Sequence, residues 1–284
     1  MRASEQQTGP PATLDRASRR WRTSSSWVAV LVAAVLVAAI SAALVSHNSN
    51  YYEVWVYNDP QTSEEQYEQF VIDLFMAHTS GFFWGPIIAL LLGVFLASRL
   101  RGVPQALGVA VPAGVLLAGV NFAVAWQLSA DTRRGSAWYP ASVPANLLAD
   151  DRFQHVVGAG LAAYPLAAIA GVGLGALFVY LLRLPAVAVL PLAVMVAVPY
   201  GAFAAIFGWF AAAVDDEPVA LFGTLGLLPL TAVTSAVQRS AVDDHGGALT
   251  LTMLISSAAW ALLLISAGWL AQRRRSRVSV ERGP

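Results

Sequence analysis

Residues Trp27–Val45 read WVAVLVAAVLVAAISAALV, an unbroken apolar run without a charged side chain. About 20 such residues suffice for a helix that crosses the hydrocarbon core of a bilayer. The run exceeds the roughly 7–15-residue apolar core of a cleavable signal peptide, and it follows a long polar tail. We therefore interpret it as the first span of a membrane protein.

Five further spans are predicted downstream. The second ends at Ser98, and the others cover about Pro104–Leu128, Val156–Leu182, Leu184–Val214 and Ala248–Leu270. The start of the second span stays open, because Asp73 and His78 would lie in its first turns and Pro86 favours a break there. Only a residue or two around Arg183 separate the fourth span from the fifth, which predicts a tight antiparallel pair.

The charges of the chain are divided between the two sides of these spans. There are 17 acidic residues and 17 basic ones, and every basic residue is Arg. Thirteen arginines fall on one side: Arg2, Arg16, Arg19, Arg20, Arg22, Arg99, Arg101, Arg183, Arg273, Arg274, Arg275, Arg277 and Arg282. Fourteen acids fall in the loops of the other side. Since Arg in short loops and tails marks the cytoplasmic side, both termini are predicted to be cytoplasmic.

Residues 218–241 are ambiguous: Val219–Val237 is apolar enough to span, but a span there would place Arg273–Arg277 outside the cell. Gly223, Gly226 and Pro229 interrupt the stretch, and acidic residues flank it on both sides. We therefore predict a helical hairpin that enters and leaves on the outer side.

The resulting prediction is an all-α, polytopic membrane protein with six transmembrane helices and an outer helical hairpin between helices five and six. Hydrophobic residues make up 57% of the chain and charged residues 12%, against about 25% charged residues in soluble domains. The expected parts are a basic, disordered approach tail, a six-helix domain and a basic cytoplasmic tail: 1–26, 27–271 and 272–284. The expected outer loops cover about 47–69, 129–155 and 215–247.

Several kinds of catalytic site are excluded by composition. The chain has no Lys, so it cannot complete the phosphate-binding P-loop of an ATPase, and it has no Cys for thiolate metal sites. Its four histidines, His47, His78, His155 and His245, lack the spacing of metal ligands. We therefore expect no enzymatic activity, no metal and no cofactor in this chain, and no nucleic-acid partner.

The candidate substrate-path residues are polar side chains in otherwise apolar spans, namely His78, Asn121, Gln127 and Tyr164. Hydrogen bonding between helices is the alternative role for each of them. Gly171 and Gly175 form a Gly-x-x-x-Gly pair, which lets helix backbones approach closely in lipid. Their contact is either within the bundle or between two copies of the chain.

The layout resembles the permease subunits of ATP-binding-cassette transporters of the type-2 exporter class. Gly81–Pro86 (GFFWGP) and Leu96–Leu100 (LASRL) are similar to the second-span region of actinobacterial-type permeases. A second similarity covers their span four, the following turn and the start of span five: Phe153, Gly158, Tyr164, Gly171, Gly175, Arg183, Pro185 and Ala186. The turn after span two differs, since it reads RLRGVP where such permeases usually carry a Glu followed by Gly-Thr.

This resemblance implies a permease subunit in the bacterial inner membrane that works with a cytoplasmic ATPase subunit and a second permease copy or related chain. The residues placed for contact with the ATPase are Arg19, Arg20, Arg22, Arg99, Arg101 and Arg183. The charge-free interior favours a hydrophobic or amphipathic substrate.

Two alternatives remain open at the level of sequence. The chain could be a non-transporting immunity or assembly protein that binds partners through its aromatic outer loops. It could also be an ion-coupled carrier in which Asp73 and His78 titrate together.

Overall fold

The computed structural model describes residues 12–56, 84–100, 102–130, 151–213 and 246–281. The described residues form helices α1 (Ala12–Val56), α2 (Trp84–Arg99), α3 (Val103–Leu128), α4 (Asp151–Ala176), α5 (Ala186–Ala213) and α6 (Gly246–Glu281). A π-helical turn, Leu177–Leu181, continues α4. No β-strand occurs among the described residues, and the predicted all-α class is confirmed.

Four of these helices are long and apolar enough to cross a membrane. The apolar segments are Ser24–Ser46 in α1, Val103–Leu128 in α3, Gly160–Leu181 at the end of α4, and Leu254–Arg277 in α6. Their surfaces carry large apolar side chains, such as Leu31 at 64% exposure and Leu262 at 66%. Because continuous apolar surface of this kind is unfavourable in water and favourable in lipid, the chain is a membrane protein.

The first and last helices are longer than the spans predicted within them. α1 begins at Ala12, inside the segment expected to be disordered, and α6 continues to Glu281, beyond the predicted end at Leu270. Neither extension contains a Gly or a Pro, and Arg is a good helix former. The two basic segments of the chain are therefore helical continuations of membrane-crossing helices.

Contacts between helices show which helices run in the same direction. Ser41 bonds to Asn121 and Val45 packs on Ala125, so α1 and α3 run in the same direction. Leu90 lies beside Gly171 and Val94 beside Gly175, so α2 and α4 are parallel too.

The sixth helix shares the direction of one of these pairs. Leu264 of α6 meets Gly173 of α4, and Arg275 meets Val179, so α6 runs with α2 and α4. The short connection after Leu181 makes α5 start where α4 ends. Consequently α2, α4 and α6 finish at the end of the bundle where α1, α3 and α5 begin.

Helix α4 is the centre of the bundle, with α2, α3 and α6 packed around it. Glycines on two of its faces allow this. A Cβ at Gly171 would overlap the backbone carbonyl oxygen of Leu90, and one at Gly175 would lie 2.8 Å from both the Val94 carbonyl and the Ala97 Cβ. On the other face, Gly173 touches the backbone of α6 at Leu264. The Gly-x-x-x-Gly pair therefore packs against α2 within one chain.

Within the part of the chain that the structure describes, helix α5 does not form the tight pair with α4 that the short turn predicts. Among the described helices, its main contact is with α2. The faces of α4 that carry glycine are already occupied by α2 and α6, and the remaining face carries Ala163, Ala167 and Ala170. The space that α5 leaves beside this face is a cavity, described below.

Several predicted features lie outside the described residues. They are the hairpin at residues 218–241, the start of the second span with Asp73 and His78, Arg101, and most of the three outer loops.

The turn between α4 and α5 ends the π-helical segment with a backbone hydrogen bond that closes around Arg183. The Leu184 amide donates to the Phe178 carbonyl over 3.1 Å, and Arg183 between them has a φ of 56°. This left-handed conformation is normally occupied by Gly, because a Cβ there is strained. The exposed Arg183 is thus held in a strained conformation.

We expect Arg183→Gly to stabilise the protein by about 0.5–1 kcal/mol, because it removes this strain. The measurement is the thermal unfolding temperature in detergent, which should rise by about 2 °C. Arg183→Ala is the matched control, since it removes the same charge but keeps a Cβ in the left-handed conformation. Equal unfolding temperatures for the two variants would contradict the strain assignment.

Candidate functional site

One end of the bundle, here called the basic end, is where α2, α4 and α6 finish and α1, α3 and α5 begin. Ten described arginines lie at or beyond it: Arg16, Arg19, Arg20 and Arg22 on α1, Arg99 on α2, Arg183 after α4, and Arg273, Arg274, Arg275 and Arg277 on α6. The described acids in these segments are Asp15 and Glu281. The basic end thus carries a strong excess of positive charge.

Two helical extensions project past the basic end. The pairing of Ser41 with Asn121 places residue 23 of α1 level with Val103, the first residue of α3. Residues 12–22 therefore extend roughly 16 Å beyond that level, at 1.5 Å per residue. Gln272 of α6 also lies level with Val103, so residues 273–281 extend roughly 13 Å beyond it.

The turn between α2 and α3 is joined to α6 by a hydrogen bond. The backbone amide of Val103 donates to Gln272 Oε1 over 3.0 Å. Gly102, just before it, has a φ of 126°, and a Cβ there would lie 2.6 Å from Gln272 Nε2. Arg275 Nη1 donates to the Val179 carbonyl over 3.2 Å and so joins α6 to the end of α4. These contacts hold three helix ends together.

Apart from Arg101, which lies outside the described residues, the predicted ATPase-contact residues share one end of the molecule. Arg19, Arg20 and Arg22 lie on the extension of α1, Arg99 ends α2, and Arg183 follows α4. The guanidinium of Arg99 lies 5.5 Å from the ring centre of Phe95. On α6, Arg273 lies 3.5 Å from the ring centre of Trp269. Such cation–π contacts hold the side chains close to their helices.

The three predicted substrate-path residues that the structure describes, Asn121, Gln127 and Tyr164, are not brought together. Asn121 is buried between α3 and α1, whereas Tyr164 is fully buried with its hydroxyl against Gly85 of α2. Gln127 is exposed near the end of α3. Along α3, Asn121 is about 10 Å from Gly114, the residue that contacts the Tyr164 backbone. These positions fit contacts between helices better than one continuous path.

Ser41 and Asn121 form a buried polar contact between α1 and α3. Ser41 Oγ donates to Asn121 Oδ1, and Asn121 Nδ2 is buried without a partner. We expect Ser41→Ala to destabilise the protein by about 1 kcal/mol, because it leaves the whole Asn121 amide unpaired. The double variant Ser41→Ala/Asn121→Leu should lose less stability than Ser41→Ala alone, since no polar group then remains buried. Thermal unfolding in detergent measures both, and an equal or larger loss in the double variant would contradict this account.

A partly open cavity of about 220 Å³ lies between α2, α4, α5 and α6. Each helix contributes a few side chains to its wall. They are Ile87 and Leu90 of α2; Ala163, Leu166, Ala167, Ala170 and Leu174 of α4; Ala193, Val196 and Ala197 of α5; and Ser257, Trp260 and Leu264 of α6. Among the described lining residues, Ser257 is the one that carries a hydroxyl group, and none is charged.

Sequence reasoning did not predict this cavity. Alanines at positions 163, 167 and 170 lie on one face of α4 by their spacing, but small residues at that spacing also favour close helix packing. Ser257 is a single hydroxyl in an apolar run, and such a residue usually bonds to its own helix. The spacing of these small residues therefore fits either close helix packing or a cavity wall, and only the position of α5 distinguishes the two.

Comparisons with models of protein families, with curated proteins and with solved structures give no match to this chain.

Proposed function

We propose that this chain is the membrane-spanning permease subunit of an ATP-driven exporter of the ATP-binding-cassette type, with ATP hydrolysed by a separate cytoplasmic subunit. The observation that carries the proposal is the basic end: the start of α3 and the π-helical segment after α4 are bonded to α6, and the extensions of α1 and α6 lie at this same end. The proposal also rests on the sequence resemblance to type-2 exporter permeases.

The charge of the basic end supports a cytoplasmic orientation. Arginine-rich loops and tails are retained on the cytoplasmic side of a membrane. With the basic end inside, all six helices cross the bilayer in alternating directions and both termini are cytoplasmic. The extensions of α1 and α6 then stand in the cytoplasm of a bacterial cell, where an ATPase subunit can reach them.

The hydrogen bond of Gln272 supports coupling between this end and the membrane interior. An ATPase that moves the α2–α3 turn would also move α6, because the Val103 amide is bonded to Gln272. One face of α6 lines the cavity at Leu264, about 12 Å from Gln272 along the helix. Rigid displacement of one packed helix is a common means of switching between two states. In the proposed exporter, a second permease copy or a related chain completes the path.

The test is gentle purification of the tagged protein from its native membrane, followed by identification of what is bound. We expect an ATPase with a P-loop lysine at one copy per permease. Neutralising the basic end with Arg99→Gln and Arg183→Gln should lower its recovery several-fold. The matched control is Gln154→Glu, an exposed residue near the start of α4 at the other end, which should leave the recovery unchanged.

Recovery of the permease alone, or with a partner that is not an ATPase, would contradict this function. A partner protein bound through the outer loops would instead favour the non-transporting alternative.

A further inference from the structure

Ser257 differs in its hydrogen bonding from serines such as Ser98 and Ser276, whose hydroxyl groups donate to carbonyls of their own helices. It is 8% exposed, and its Oγ has no hydrogen-bond partner. By contrast, Ser98 Oγ donates to the Phe95 carbonyl of its own helix over 2.7 Å, and Ser276 Oγ donates to the Arg273 carbonyl over 2.9 Å. A buried hydroxyl without a hydrogen-bond partner in the protein is unfavourable. Ser257 also lines the apolar cavity.

The cavity is large enough to hold a small molecule. An apolar cavity of about 150 Å³ is known to accept benzene, and this one measures about 220 Å³. Ala163, Ala167 and Ala170 of α4 face Ala193 and Ala197 of α5, and these short side chains leave the space unfilled. Its volume therefore suits a compound of about two fused rings.

The cavity reaches the described surface of the bundle at α5. Val196 belongs to its wall and is 55% exposed, and among the described residues α5 packs mainly on α2. Leu264 lies roughly 13 Å, and Ser257 roughly 24 Å, from Arg273 along α6. In a hydrocarbon core about 30 Å thick, the cavity therefore begins near the middle and extends towards the side opposite the basic end. A compound dissolved in the bilayer could reach it directly.

We propose that this cavity is a binding site for an uncharged, mostly apolar compound of about two fused rings, whose single hydroxyl or carbonyl group hydrogen-bonds to Ser257 Oγ. A charged compound is excluded because the described wall offers no charge to pair with it. A lipid acyl chain would fill the space but leave the Ser257 hydroxyl unpaired. Identifying this compound class as the exported substrate rests on the proposed function, whereas binding itself does not.

The experiment uses 2-naphthol and naphthalene, which differ by one hydroxyl group. Radiolabelled forms are dialysed to equilibrium against nanodiscs with the protein and against empty nanodiscs, and the saturable difference is the bound compound. For the wild type we expect saturable binding of both. Ser257→Ala should weaken 2-naphthol binding about five- to tenfold and leave naphthalene binding unchanged.

A second variant tests whether the compounds occupy the cavity. Ala197→Leu places a larger side chain in the wall and should abolish the binding of both. Val115→Leu, at an exposed position on α3, is its control and should bind like the wild type. Ser257→Ala removes only one oxygen atom and so keeps the test valid if Ala197→Leu fails to fold.

Two results would overturn the proposal. One is the absence of saturable binding over empty nanodiscs, including the case in which native mass spectrometry shows a retained phospholipid. The other is equal weakening of both compounds by Ser257→Ala. The assay needs no ATPase, so a failure here is distinct from a failure to recover an ATPase in the purification experiment.

Discussion

Gly171→Ala is expected to destabilise the protein by about 2–3 kcal/mol, although Ala is the better helix former. The added Cβ would overlap the Leu90 carbonyl oxygen, which belongs to the backbone of α2 and cannot rotate away. Helices α2 and α4 must therefore separate, and this contact is at the centre of the bundle. The thermal unfolding temperature in detergent should fall by about 5–8 °C.

The same helix supplies the matched control. A Cβ at Gly158 would meet no atom within 4 Å, so Gly158→Ala should be neutral or slightly stabilising. If Gly171→Ala and Gly158→Ala unfold at the same temperature, the close packing of α4 on α2 is wrong. A loss of self-association at unchanged stability would instead assign Gly171 to an interface between two copies.

Gly102→Ala should have the second largest effect, a loss of about 2–3 kcal/mol. Gly102 has φ 126° and ψ 162°, a region that is essentially restricted to Gly. The new Cβ would also displace the Gln272 amide and break its bond to Val103. We expect a lower unfolding temperature and, in a complex reconstituted with the proposed ATPase subunit, weaker stimulation of ATP hydrolysis by the proposed substrate.

Two comparisons separate the causes of this loss. Gln272→Ala removes the hydrogen bond without straining the backbone and should cost about 1 kcal/mol. Gly108→Ala adds a methyl group to the same region of α3 where no atom lies within 4 Å, and should be neutral. A Gly102→Ala protein as stable as the wild type would contradict both the backbone conformation and the role of Gln272.

The sequence predicted the membrane helices well where an apolar run has clear boundaries. The third span was predicted as Pro104–Leu128 and is observed as Val103–Leu128, because Gly102 and Pro104 mark its start. The helical extensions at residues 12–26 and 271–281 were missed. Hydrophobicity marks where a helix crosses lipid, but it does not indicate how far the helix continues as a polar segment.

The neighbours of each helix were harder to predict than the helices themselves. The short turn at Arg183 suggested that α4 and α5 pair. Which helices pack closely on α4, however, depends on which of its faces carry glycine. Asn121 and Tyr164 stood out as polar residues in apolar spans, yet each is buried at a contact between helices. The cavity with Ser257 depends on a gap between four helices, which no periodicity in one segment can show.

The most direct test of the central claim is to determine on which side of the membrane the basic end lies. The chain contains no Cys, so one introduced Cys is the only thiol in each variant. Ser276→Cys marks the extension of α6 and Gln154→Cys marks the other end, and both positions are exposed. In right-side-out vesicles, an impermeant maleimide should label Gln154→Cys at once and Ser276→Cys only after permeabilisation. Labelling of Ser276→Cys in intact vesicles would place the basic end outside and contradict an exporter driven by a cytoplasmic ATPase.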